Sequence, residues 1–184
     1  MKKYILILAA ALGFAACDKS EVSSAPFDDI IAGFDISQMD QVAFEQLLTT
    51  DALTTHGFHF YCSDCHRWDC SLHRLIGIGP SEGLILQKDG SCYAIYDVSS
   101  TYGYEVILPL YGIWHYERES SKLTVEIKSN PGSFSCKVVY FKYPKLILEG
   151  TGPHEGCIHR YEYHFGEMSK EDFDTLCKQY PKRE

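Results

Sequence analysis

The second half of the chain alternates between hydrophobic and polar residues, which is typical of β-strands with one buried face. The pattern is clearest at Leu123, Val125 and Ile127, which alternate with polar residues. The same period runs through residues 134–141 and 157–165. In the last of these segments one face is formed by Cys157, His159, Tyr161, Tyr163 and Phe165.

Turn residues separate further strand-like segments. Residues 84–87 and 91–98 flank Lys88-Asp89-Gly90, and an Asp-Gly pair between two such runs predicts a β-hairpin. Shorter strand-like segments lie at 57–62, 105–110, 112–117 and 146–149. We expect these segments to form about eight short strands.

Helical patterns lie before and after the strands. Residues 37–50 partly follow a helical period, and Ser37 and Asp40 have the spacing of a capping pair. A C-terminal helix over 169–180 begins with a Ser-x-x-Asp capping box, and its apolar face is formed by Phe173, Leu176, Cys177 and Tyr180. We therefore expect a mainly β fold, an antiparallel barrel or sandwich with an N-terminal and a C-terminal helix, in a single domain over 34–184.

The N-terminus has the parts of a secretory signal. Lys2 and Lys3 precede a short apolar run, and small residues lead to a break at Cys17. The run is shorter than the roughly 20 residues that a transmembrane helix needs. We interpret residues 1–16 as a signal peptide and the protein as exported.

Cysteine at the cleavage point adds a lipid anchor. Phe14-Ala15-Ala16-Cys17 resembles the lipobox of bacterial lipoproteins, in which the cysteine carries diacylglycerol and an amide-linked acyl chain such as palmitate. The resemblance implies that the mature protein begins at Cys17 and is anchored in the cell envelope, where we expect the outer membrane. Several acyl chains give firm anchoring. Residues 17–33 lack a sustained period and are predicted to tether the domain to the lipid.

The charge balance excludes one class of partner. Without residues 1–16 the chain has 15 Lys and Arg against 25 Asp and Glu, a formal net charge of −10, because the segment removed holds two of the 17 basic residues and no acid. Nucleic-acid binding needs a concentrated basic face, so nucleic acid is not expected as a partner.

Seven cysteines follow Cys17, and exported cysteines usually form disulfides. The candidates are Cys62, Cys65, Cys70, Cys92, Cys136, Cys157 and Cys177. Connectivity cannot be deduced from spacing. The favoured interpretation is a disulfide framework that fixes an early hairpin to the rest of the domain.

The segment 60-FYCSDCHRWDCSLH-73 leaves two other interpretations open. Cys62-x-x-Cys65-His66 has the spacing of c-type haem attachment, with His66 as the axial ligand. That alternative would make the protein a redox carrier.

Zinc is the second alternative for this segment. Four residues could coordinate one zinc ion in a tetrahedral site: Cys62, Cys65, Cys70 and His73. His66 is a further potential ligand. Such a closed site would be structural. Because the favoured interpretation is disulfides, no cofactor is expected.

No catalytic motif is present in the sequence. A nucleophile elbow and an H-E-x-x-H helix are both missing, so we do not expect an enzyme. Tyrosine is abundant, with 13 residues in the chain. A possible ligand pocket is lined by Tyr93, Tyr96, Tyr111 and Trp114, although Trp114 is better explained as part of the barrel floor.

One more resemblance concerns the domain itself. The hairpin 84-LILQKDGSCY-93, then 111-YGIWHY-116 before the strand 123-LTVEI-127, is similar to the lipocalin-like domains of small Gram-negative lipoproteins. The resemblance follows the order of elements over residues 42–165. It implies a small antiparallel barrel without catalytic activity, which would bind a small apolar or amphipathic ligand or an envelope protein. A purely structural lipoprotein is the remaining alternative.

Overall fold

A computed structural model describes residues 25–64, 66–68, 83–97, 107–128, 133–151 and 156–179, without the side chains of residues 97, 107, 108, 176, 177 and 179. The predictions for residues 1–16, Cys17, Cys65, Cys70 and His73 lie outside these residues, as does the side chain of Cys177.

The strands form one antiparallel sheet that closes on itself. They are β1 (Leu53–Cys62), β2 (Arg67–Trp68), β3 (Gly83–Leu86), β4 (Ser91–Asp97), β5 (Ile107–Glu117), β6 (Lys122–Ile127), β7 (Phe134–Lys142), β8 (Lys145–Thr151) and β9 (Ile158–Phe165). The order is β2-β1-β3-β4-β5-β6-β7-β8-β9, and β1 also pairs with β9. The eight longer strands thus make a closed antiparallel barrel, which confirms the mainly β fold and selects the barrel over the sandwich.

The barrel interior is filled by the side chains that face inward, which belong to every second residue of each strand. Leu123, Val125 and Ile127 are buried on β6, as their spacing predicted. On β9 the inward face includes Tyr161, Tyr163 and Phe165. The two strands predicted at 105–110 and 112–117 are instead one continuous strand, β5, because Gly112 keeps extended pairing with both Cys92 and Ile127.

The predicted hairpin between β3 and β4 is present. The Gln87 amide donates to the Ser91 carbonyl at 2.9 Å. Gly90 has φ +83°, a conformation that favours glycine. The Asp89 carboxylate accepts from the Ser91 amide at 2.9 Å, which satisfies a backbone donor at the turn.

Helix α2 (Gln41–Leu48) closes one end of the barrel. Phe44 is buried against the rings of Tyr116, Phe141 and Phe165. We call this the closed end; the other end, where β1 finishes and β9 begins, is the mouth.

The N-terminal cap of α2 differs from the prediction. Asp40 is itself the cap, and its carboxylate accepts from the amides of Val42 and Ala43 at 3.1 and 3.0 Å. Ser37 lies in a separate 3₁₀ turn, Ile36–Gln38, and bonds to Asp35. The Ser-Asp spacing therefore reflected two successive turns, each with its own aspartate.

Part of the segment predicted as a tether lies on the barrel. Residues 28–32 form a short helix, α1 (Asp28–Ala32). Arg160 of β9 donates to the Pro26 carbonyl and to the Asp28 carboxylate, both at 2.7 Å. Local periodicity gives no signal for these long-range contacts with Arg160.

Helix α3 (Lys170–Gln179) lies on the outer wall, close to the predicted 169–180. Its capping box is present, since the Asp172 amide donates to Ser169 Oγ at 3.1 Å. Phe173 is buried in a small cluster with Ala52, Ile85 and Ile95. Within the described residues no helix is both long and apolar enough to cross a lipid bilayer.

Candidate functional site

Aromatic side chains gather inside the mouth half of the barrel. We call them the interior aromatic cluster: Phe58, Phe60, Phe134, His159 and Tyr161. Phe58 stacks on Tyr161 with centroids 5.2 Å apart, and Phe60 meets His159 edge to face at 4.8 Å. The register that closes the barrel, Phe58↔Tyr161 and Phe60↔His159, puts these pairs directly opposite one another.

His159 brings an unsatisfied polar atom into this cluster. The residue is only 7% exposed, and its Nδ1 lies 2.9 Å from the Tyr161 hydroxyl. Its Nε2 is buried and has no hydrogen-bond partner in the described part of the chain. Burial lowers the pKa of His159 from 6.5, so the imidazole is neutral at neutral pH. Burial also raises the pKa of Tyr161.

Tyr96 carries a second such atom on the inward face of β4. Its ring contacts the main core, and its hydroxyl is buried without a hydrogen-bond partner among the described residues. Burial, helped by Cys92, raises the pKa of Tyr96 to about 12. Buried polar atoms normally find partners, so Tyr96 and His159 mark positions where the interior offers unused hydrogen bonds.

On the side away from β9, the described part of β1 pairs with β3 at its start and with β2 at Tyr61 and Cys62. β1 pairs with β3 at Leu53 and Thr54, and the described register extends no further. Phe58 is 40% exposed although it faces inward. The Phe58 ring is therefore in contact with solvent.

The four residues predicted to line a pocket lie on two sides of the wall. Tyr96 and Trp114 face inward. Tyr93 and Tyr111 face outward and touch each other across β4 and β5, with centroids 5.7 Å apart. Trp114 donates from Nε1 to the Gln87 carbonyl at 2.7 Å, which places it at the closed end. Only Tyr96 and Trp114 can belong to one interior site.

The haem and zinc sites stay predictions, because Cys65, Cys70 and His73 lie outside the described residues. Cys62 is 2% exposed and faces inward. His66 is exposed and its Nδ1 lies 3.1 Å from the hydroxyl of Tyr61, which points to the other side of β1. Of the predicted ligands, only these two are described.

Four of the cysteines predicted to form disulfides are buried free thiols: Cys62, Cys92, Cys136 and Cys157. Cys92 pairs in register with Leu86 and Gly112, so it faces no cysteine on its neighbouring strands. Cys136 likewise pairs with Leu123 and Gly150.

Cys62 and Cys157 are placed differently. Tyr61 pairs with Ile158, so the antiparallel register brings Cys62 opposite Cys157 at the next step. Beyond it, a Cβ at Gly156 would lie 3.2 Å from Ser63 Cβ, so the strands remain adjacent. Disulfide formation for this pair, and for Cys65, Cys70 and Cys177, stays a prediction.

A cleft of about 530 Å³ lies outside the closed end. Its apolar lining includes Phe34, Met39, Phe44 and Phe141. Two carboxylates in the lining, those of Asp35 and Asp40, are engaged by the hydrogen bonds of the local turns.

Sequence reasoning missed a further cluster on the outer wall, formed by His56, His164 and Glu167. Burial alone would raise the pKa of the adjacent Glu162, but hydrogen bonds from Lys145 and His164 outweigh it and lower that pKa below 4.5. Only the i, i+3 spacing of His164 and Glu167 was visible in the sequence, because His56 reaches them through the pairing of β1 with β9.

The chain matches none of the protein-family models and none of the curated proteins with which it was compared. Among solved structures it is similar to bovine odorant binding protein in complex with a selenium-containing odorant, with 10% sequence identity and a TM-score of 0.40. The similarity covers 74% of this chain and 88% of the bovine chain.

Proposed function

We propose that the protein binds a small uncharged molecule, non-catalytically, in the mouth half of its barrel. The proposal is carried by two buried polar atoms, His159 Nε2 and Tyr96 Oη, which have no hydrogen-bond partner among the described residues and lie in an interior lined by aromatic rings. Ligand sites typically combine an apolar lining with a few polar groups that fix orientation.

The ligand chemistry follows from these groups. The interior aromatic cluster offers ring faces and edges, which favour a flat apolar or aromatic body. A neutral imidazole and a phenol supply hydrogen bonds but no charge. The ligand class is therefore an apolar or aromatic molecule with one or two hydroxyl or carbonyl oxygens.

Equilibrium dialysis with 2-naphthol and 2-methylnaphthalene, two probes of similar shape, tests the proposal. Tyr96→Phe removes only a hydroxyl, so it should weaken binding of 2-naphthol by up to about tenfold, the range for one hydrogen bond. Binding of 2-methylnaphthalene should be unchanged. Native mass spectrometry of the protein from membrane extracts should also find a co-purifying molecule of this class.

Two control variants make the result specific. Tyr93→Phe makes the same change on the outer face of β4 and should leave both affinities unchanged. Ala43→Trp fills the outer cleft and should also have no effect. The proposal fails if neither probe binds saturably, if Tyr93→Phe matches Tyr96→Phe, or if Ala43→Trp abolishes binding.

We further propose that the domain is carried on the envelope membrane by lipid on Cys17. The support is the export signal over 1–16 and the lipobox-like residues before Cys17. Intact-mass analysis should show loss of residues 1–16 and the added acyl chains, and Cys17→Ala should release the protein from membranes. A water-soluble wild-type protein of unmodified mass would contradict this part.

Disulfide formation between Cys62 and Cys157 is part of the same proposal. Directly opposite residues of antiparallel strands lie within the Cα separation that a disulfide spans, and both side chains are buried. Two thiols would lose two electrons and two protons to a protein disulfide, which is reduced to a dithiol. The bridge would fix the seam between β1 and β9 at the mouth.

A further inference from the structure

Three potential metal ligands meet on the outer wall, away from the proposed ligand site. The Nε2 of His56 bonds to one oxygen of Glu167, and the Nδ1 of His164 lies 3.1 Å from the other. One ligand atom from each residue lies within 4.8 Å of the other two. The side chains of His56 and Glu167 are 37% and 42% exposed, so an ion from solvent can reach them.

The backbone is irregular at the points that bring these residues together. The register of β1 with β9 shifts between Thr55 and Gly57, so His56 is the extra residue of a bulge. Bulges redirect side chains, and here the His56 ring stacks on that of His164, with centroids 3.9 Å apart. Gly166, with φ +74°, then turns the chain so that Glu167 returns to both rings.

His164 also contacts a second carboxylate, that of Glu162, through its other ring nitrogen. His164 Nε2 lies 3.0 Å from Glu162 Oε1, and Lys145 holds the same carboxylate at 2.6 Å. In metal sites a carboxylate on the far nitrogen of a ligating histidine fixes the tautomer and orients the ring. Glu162 therefore leaves Nδ1 of His164 available on the side of Glu167.

The donor set selects the kind of ion. Two imidazole nitrogens and one carboxylate suit zinc and neighbouring transition metals, whereas magnesium and calcium take oxygen ligands. The planes of the His56 and His164 rings are nearly parallel, 15° apart. The exposed His56 ring must therefore rotate before one nitrogen from each ring can coordinate the same ion. Three protein ligands would leave a coordination position for water.

We propose that His56, His164 and Glu167 form a zinc-class metal site on the outer wall of the barrel. The ion would join β1 to the end of β9, at the seam that closes the sheet, and would stabilise the folded chain because it binds there and not to unfolded protein. The site does not depend on the proposed interior ligand.

Isothermal titration of the chelator-treated protein with Zn²⁺ tests the site. We expect one ion per chain. His56→Ala and Glu167→Gln should each lower the affinity for Zn²⁺ by at least about tenfold. Mutation of residues that only hydrogen-bond to a metal ligand already causes a loss of this size. His115→Ala, an exposed histidine on the outer face of β5, is the matched control and should bind as the wild type does. Mg²⁺ should not bind measurably.

A second readout separates this site from the cysteines. Co²⁺ bound by nitrogen and oxygen should give weak visible bands, without the strong near-ultraviolet absorption of thiolate coordination. The proposal is overturned by thiolate absorption that disappears in Cys62→Ser. It is also overturned if His56→Ala and Glu167→Gln bind Zn²⁺ as tightly as His115→Ala does, or if the wild type binds none.

Discussion

Cys62 ends β1 one step beyond the pair Tyr61↔Ile158, and Cys157 lies one residue before β9, so the antiparallel register sets the two cysteines opposite each other at the mouth. Their exposed fractions are 2% and 3%. The two residues are far apart in sequence, so only closure of the barrel makes them neighbours. A bond between them would hold the first strand to the last.

The first prediction concerns this bond. Protein purified under oxidising conditions should yield a peptide that joins Cys62 to Cys157, identified by digestion without reductant and mass spectrometry. Cys157→Ser should lower the free energy of unfolding by about 2–4 kcal/mol in oxidising buffer, the usual contribution of a disulfide. In reductant the difference from the wild type should shrink. A map that joins Cys157 to Cys65 or Cys70 instead would contradict the pairing.

A second prediction concerns the thiols inside the barrel. Burial raises the pKa of Cys92 and of Cys136 to about 12, with Glu149 adding to the effect at Cys136. Alkylation requires the thiolate, so neither residue should react with iodoacetamide at neutral pH in the folded protein. Both should react in denaturant. Peptide mapping after brief labelling provides the measurement, and labelling of either residue in the native state would show that the interior opens.

The third prediction is a gain of stability on loss of a polar group. The Tyr96 hydroxyl is buried without a partner among the described residues, so the ligand-free protein bears the cost of desolvating it. Tyr96→Phe should raise the free energy of unfolding by about 1 kcal/mol, the lower end of that cost. Urea unfolding of ligand-free protein measures it, with Tyr93→Phe as the control. Destabilisation by Tyr96→Phe would mean that the hydroxyl has a partner.

The fourth prediction is a pH effect from His159. Burial lowers its pKa from 6.5 in the folded state, so the unfolded chain binds the proton more readily. Stability should therefore be complete above about pH 6.5 and fall as the pH drops towards the folded pKa. His159→Gln removes this titration. The urea midpoint of unfolding should therefore fall less between pH 7.5 and pH 5.5 for the variant than for the wild type. Equal losses in variant and wild type would assign the effect to other groups.

Local patterns were sufficient for most of the fold. The alternation at Leu123, Val125 and Ile127 predicted β6, because one face of that strand is buried and the other is exposed. The Asp-Gly turn at Gly90 predicted the hairpin of β3 and β4, and the Ser169 box predicted the start of α3. Each signal lies within a few residues of the element it specifies.

The candidate sites were predicted less completely. Tyrosine composition suggested a pocket, but Tyr93 and Tyr96 lie on opposite faces of β4, and only Tyr96 reaches the interior. His159 was assigned to the apolar face of its strand, which is where the structure has it. That its Nε2 has no hydrogen-bond partner among the described residues depends on which atoms surround it in three dimensions.

Strand faces, turns and the C-terminal helix can be predicted from the sequence alone, because they follow from interactions between residues close along the chain. Tertiary structure decided that the sheet closes as a barrel through β1 and β9. That closure brings Cys62 to Cys157 and His56 to His164, and it buries His159. Pairing of the first and last strands joins residues about a hundred positions apart, and no local periodicity specifies which of them meet.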